Sequence, residues 1–137
     1  MRREGRRLAL QLLYALDAGD AWDRLDQQLR LFLANLAGEV APEAVELGEK
    51  LCREVVLRRS ELDRQIEAAS THWRLERMSR IDRSILRLAG AELVGDLDTP
   101  PAVVLNEAVE LAKEFGTAES PSFVNGVLDR LARDLPP

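Results

Sequence analysis

Arg2, Arg3, Arg6 and Arg7 crowd the N-terminus of this chain, with only Glu4 opposing them. On a helix these positions come together, because residues three and four apart are neighbours. Guanidinium groups grip phosphate through paired N–H donors and stack on bases. The cluster therefore suits RNA, and a solvated, frayed terminus is an equally weighted plainer reading. Arg80, Arg83 and Arg87 form a second set, on one helical face away from Ile81, Ile85 and Leu88. There a solvated face is the stronger expectation, with Asp82 and Glu76 as ion-pair partners. Glu92 projects near the same apolar stripe, so it should be partly buried and hydrogen-bonded. Phe123-Val124-Asn125-Gly126 follows Ser120-Pro121. Phe123 is either core or a stacking platform for a base. Asn125 can bond a neighbouring backbone. Gly126 inside a helical pattern costs stability against Ala, so it is expected to permit close helix packing.

Residues for catalysis are sparse. His72 is the only histidine and lacks the context of a triad base. There is no HExxH, no Glu-x-x-His pair and no Gly-rich phosphate loop. No metal and no cofactor is expected, and the chain reads as a non-enzyme; converging carboxylates are the only form an enzyme reading retains. Cys52 is the single cysteine, which excludes an internal disulfide, and its apolar surroundings predict a buried thiol.

The elements that must position these residues are helices. The chain has 137 residues, 46% hydrophobic, 31% charged and 4% aromatic, which suits one domain with a Leu, Val, Ile and Ala core. The net charge of −5 denies it an overall positive field, so any nucleic-acid site must be a local patch. No stretch is long and apolar enough to cross a bilayer, and the N-terminus lacks a clear cleavage pattern, so a cytoplasmic protein is expected.

Gly and Pro cut the chain into helix-sized pieces of roughly 10–18 residues. The first runs from about Arg3 to Asp17, ending near Gly19. The second carries Trp22, Leu25, Leu29, Phe32, Leu33 and Leu36, and Gly38 ends it. Pro42 opens the third, with Val45, Gly48, Leu51, Cys52 and Val55, and a short fourth holds Leu62, Ile66 and Ala69 behind Ser60 as cap. Ser79 caps the fifth, with Asp82 in a loose capping box. The sixth places Leu105, Ala108, Val109, Ala112 and Phe115 on one side and stops at Gly116. The last starts at Ser120-Pro121, as cap and first position, and carries Val124, Val127, Leu128 and Leu131. The expected fold class is all-α, a single bundle-like domain of about seven helices over residues 1–137.

Several segments, in order, resemble the NusB family. They are Arg6-Arg7-Leu8-Ala9-Leu10-Gln11-Leu12-Leu13-Tyr14; Ile81-Asp82-Arg83-Ser84-Ile85-Leu86-Arg87-Leu88-Ala89 with Glu92-Leu93; Pro101 with Asn106 through Lys113 and Phe115-Gly116; and Phe123 through Asp129. The resemblance implies the all-α fold of that family and a transcription antitermination role without catalysis. It implies binding of boxA-type RNA from ribosomal RNA leaders, together with the ribosomal protein NusE, in an RNA polymerase elongation complex. Carried over position by position, it implies RNA contacts at Arg2, Arg3, Arg6, Arg7, Gln11 and Phe123. Tyr14, Glu76 and Asp82 would face NusE, which gives those two carboxylates a partner's basic residues in place of Arg80. Glu119 would modulate RNA binding, standing where relatives can have Asp, and Pro121 and Ser122 stand where relatives can carry His and Lys. Relatives can also pair through the RNA surface, which leaves a homodimer open. The RNA-binding domain of some ribosomal RNA methyltransferases looks similar, but those chains continue into an α/β domain, and a chain ending at Pro137 favours the free-standing factor. A helical protein adaptor that has lost RNA binding is the reading from another class.

Overall fold

The structure is a computed structural model, and it describes residues 2–36, 40–71, 73–95 and 97–135. Gly38 and His72 lie outside the described residues. Six α-helices follow in order: α1 (Arg2–Gly19), α2 (Leu25–Ala34), α3 (Pro42–Ala69), α4 (Arg80–Val94), α5 (Pro101–Phe115) and α6 (Ser120–Arg133). Short 3₁₀ turns, Trp22–Arg24 and Leu75–Arg77, precede α2 and α4.

The expected third and fourth helices are one. Between Val55 and Leu62 there is no Gly or Pro to stop the helix, and Arg58 donates to Glu54 one turn back at 2.9 Å. Ala44, Gly48, Leu51, Cys52, Val55, Leu62, Ile66 and Ala69 form one buried stripe along it. Ser60 is an exposed residue inside the helix and not a cap. Elsewhere the local signals hold. Pro42 and Pro101 open α3 and α5, where a missing N–H costs nothing. The Ser79 hydroxyl accepts from the Asp82 amide at 3.1 Å and caps α4. Ser120 falls one residue inside α6, and its hydroxyl instead accepts from the Thr117 amide at 3.0 Å.

The core sits around α4, which packs against α1, α3, α5 and α6. Every residue from Ser84 to Glu92 is buried. Over that stretch the helix has no solvated face, so its polar residues must find partners inside. Leu10, Leu13 and Leu16 of α1, Leu51 and Leu62 of α3, and Leu128 of α6 close on Ile85, Leu86 and Leu88. Each such side chain contributes roughly 1.5–3 kcal/mol by leaving water. Where α1 crosses α3 the backbones approach closely: a Cβ on Gly48 would stand 3.1 Å from the Gly5 carbonyl oxygen. Gly126, expected to serve such a contact, has nothing within 4 Å of where its Cβ would be. Close packing is the task of Gly5 and Gly48.

Candidate nucleic-acid interface

The first turns of α1 lie against α5 and form a cleft of about 210 Å³, lined in part by Arg3, Arg6, Arg7, Glu107 and Glu114. The arginines there already have counter-charges. Arg3 donates to both oxygens of Glu107, at 3.2 and 3.4 Å, and Arg7 donates to Glu114 at 3.0 Å. Arg2 is exposed, as is Gln11, one turn beyond Arg7.

Arg6 is different. It is 4% exposed and donates to both oxygens of Glu92, at 2.7 and 3.0 Å. Burial alone would pull its proton off more easily. The hydrogen bonds and charge of Glu92, helped by Glu107, outweigh that and hold the guanidinium above its ordinary pKa. Arg6, expected among the RNA contacts, thus lies inside, where its paired donors tie α1 to α4. Glu92 is buried and hydrogen-bonded, as its place near the apolar stripe predicts.

The other end of the surface is built from the turn before α4 and the start of α6. Trp73 and Phe123 meet edge-to-face, with ring centroids 6.4 Å apart and planes at 79°. They line a pocket of about 210 Å³ together with Arg77, Asp82 and Glu119. Phe123 is half-buried and Trp73 is 51% exposed. Asp82 Oδ1 is shielded from solvent and has no donor among the described residues. The structure thus brings Phe123, Asp82 and Glu119 together, apart from the α1–α5 cleft. Glu76 is exposed and, among the described residues, meets only Arg74, at 3.5 Å.

Tyr14 is exposed on α1, with the Arg80 guanidinium 5.8 Å above its ring. Arg80, Arg83 and Arg87 do not form the solvated face expected of them. Arg83 donates to both oxygens of Asp17, at 2.6 and 3.1 Å, and Arg87 to both oxygens of Asp63, at 2.9 and 3.2 Å. Arg80 reaches Asp17 only at 4.0 Å. Neither Asp82 nor Glu76 pairs with them. Trp22 lies between two of the molecule's cations, with Arg59 at 4.6 Å and Arg87 at 5.1 Å from its ring centroid.

Residues 3–133 match the profile of the NusB family. The chain belongs to that family. A transcription antitermination protein NusB from Syntrophotalea carbinolica is 42% identical and is aligned over 100% of this chain and 95% of its own length. One from Anaeromyxobacter dehalogenans is 46% identical, over 99% and 93%. Among solved structures, T. maritima NusB matches with a TM-score of 0.88 at 34% identity, covering 100% of this chain and 94% of that one. A structure of the antitermination factors NusB and NusE in complex with dsRNA matches at 0.83 and 26% identity, over 98% and 97%.

Sequence reasoning missed three residues that this NusB fold brings into play. Trp73 escaped because it lies outside the helical patterns, where periodicity says nothing; an aromatic close to Arg74 and Arg77 was the available signal. Glu107 and Glu114 escaped because they sit on α5, more than a hundred positions from the arginines they neutralise. Among the described residues no group of three or more His, Cys, Asp or Glu side chains could hold a metal ion, and no helix is long and apolar enough to cross a membrane.

Proposed function

We propose that this chain is a non-catalytic transcription antitermination factor of the bacterial cytoplasm. It binds boxA-type RNA of ribosomal RNA leader transcripts together with the ribosomal protein NusE and joins an RNA polymerase elongation complex. The observation that carries this reading is likeness over the whole chain to proteins named for that role, including the NusB of a complex with NusE and dsRNA. In this reading Arg2, Arg3, Arg7, Gln11 and Phe123 touch RNA, and Arg6 holds α1 in place behind them. Tyr14, Glu76 and Asp82 face NusE, and Glu119 tunes the RNA surface.

The test is fluorescence anisotropy of a labelled boxA-like RNA, titrated with this protein with and without NusE, at two salt concentrations. Salt-sensitive binding that NusE strengthens is expected. Replacing Arg2, Arg3 and Arg7 by Gln should weaken it and flatten the salt dependence, by about 0.7 in slope for each phosphate no longer neutralised. The second reading, a protein adaptor without RNA binding, is favoured by the glutamates that neutralise Arg3 and Arg7. NusE binding with no RNA binding in any condition would establish it instead.

A further inference from the structure

Most of the arginines at the N-terminus are already compensated. Arg3, Arg6 and Arg7 each hold a carboxylate. Arg77, in the turn before α4, has no carboxylate within 4 Å among the described residues, although Asp82 and Glu119 line the same pocket. It stands beside Trp73, a large ring half open to solvent, whose edge-on contact with Phe123 holds it in place. An exposed tryptophan next to an arginine that holds no carboxylate, with a second aromatic beside it, is the combination that holds an unpaired nucleotide. The base stacks on a ring, and the backbone phosphate meets the cation.

We infer that Trp73 and Arg77, with Phe123, form a nucleotide pocket that takes one unstacked base of a single-stranded RNA segment. This extends the RNA track beyond the residues carried over from the family, and it rests on the RNA-binding reading above. A base fits better than a basic side chain of a protein partner. Asp82 and Glu119 line the pocket too, so its charge does not choose between them; the open Trp73 ring beside a guanidinium that holds no carboxylate does, since a base stacks on the one and its phosphate meets the other. Trp73 is the stacking residue, Arg77 the phosphate contact, and Phe123 the buttress that fixes the angle of Trp73.

Tryptophan emission tests this directly, because Trp22 is buried between Arg59 and Arg87 and only Trp73 is open to a base. The full chain is titrated with the same boxA-like RNA in the presence of NusE, reading anisotropy and tryptophan emission together. Quenching is expected in the unaltered protein and not in Trp73→Phe. Trp73→Ala should weaken RNA binding about tenfold to a hundredfold, Trp73→Phe much less. Arg77→Gln should weaken it modestly and lower the salt slope by about 0.7. RNA binding that leaves the emission unmoved and is unchanged by both Trp73→Phe and Arg77→Gln would overturn the pocket while leaving the RNA reading intact. Loss of NusE binding with RNA affinity preserved would overturn it in favour of a protein site. Absence of RNA binding by the unaltered protein would remove both readings. Should Trp73→Ala fail to fold, Trp73→Phe and Arg77→Gln still decide the matter.

Discussion

Arg6 and Glu92 form a two-pronged ion pair inside the bundle, at 2.7 and 3.0 Å, between residues 86 positions apart. It joins the first helix to the central one. A buried guanidinium and a buried carboxylate tolerate each other only as a pair, since either alone carries an uncompensated charge in a low-dielectric interior.

Arg6→Ala or Glu92→Ala should therefore each cost about 3–5 kcal/mol of stability, read by chemical denaturation. Replacing both with apolar residues of similar volume, Arg6→Met with Glu92→Leu, should recover most of that loss. RNA affinity of the double variant then separates two roles. If Arg6 only anchors α1, binding survives; if it falls as far as with the surface arginines, Arg6 touches RNA directly.

The glutamates on α5 should oppose RNA. Arg3 and Arg7 spend their donors on Glu107 and Glu114, so a phosphate must displace a carboxylate to reach them. Glu107→Gln with Glu114→Gln is expected to raise RNA affinity and steepen its salt dependence, with little change in melting temperature. An exposed pair such as Arg7 with Glu114 contributes at most about 1 kcal/mol to stability. Unchanged affinity in the double variant would mean that the α1–α5 cleft is not where phosphate binds.

Cys52 should be inert and should couple stability to alkaline pH. Burial pushes its thiol up to about 12 from an ordinary value of 9.0, and its Sγ lies 3.6 Å from the Ala9 carbonyl oxygen. As pH rises past 9.0 the unfolded chain loses the thiol proton while the folded chain keeps it, so stability falls until about pH 12 is reached. The slope is at most about 1.4 kcal/mol per pH unit from this group. Denaturation midpoints at rising pH, compared between the unaltered chain and Cys52→Ala, would show it: the variant should lose less. Fast labelling by a thiol reagent in the native state would contradict the burial itself.

Gly48 and Gly126 should respond in opposite directions to Ala. At Gly126 an added methyl meets nothing within 4 Å, so the substitution should stabilise α6 by roughly 0.5–1 kcal/mol through helix propensity. At Gly48 it would press on the Gly5 carbonyl oxygen and on Leu8 Cβ, at 3.1 and 3.3 Å, and force α1 away from α3. A lower melting temperature for Gly48→Ala and a higher one for Gly126→Ala are expected; the reverse order would contradict the α1–α3 contact.

Whatever depends on neighbours along the chain was legible in the residues alone. The Ser79 cap, the Pro42 start and the stripes of Leu and Val are local signals, and the helices follow them. The main error in the expected fold was local too, a break at Ser60 where no Gly or Pro imposes one. The ordered motifs were enough to point to the family.

Which charges meet was settled by packing. Arg83 finds Asp17 across 66 positions, Arg6 finds Glu92 across 86, and Arg7 finds Glu114 across 107. Periodicity put Arg80, Arg83 and Arg87 on a face away from the apolar stripe and predicted water there. It could not say that α1, α3, α5 and α6 would surround α4 and turn part of that face inward. The same holds for Trp73, a turn residue whose meaning comes from Phe123 on another helix. An ion pair or an aromatic contact is set by distance and by exclusion of water. Both come into being only when the helices pack.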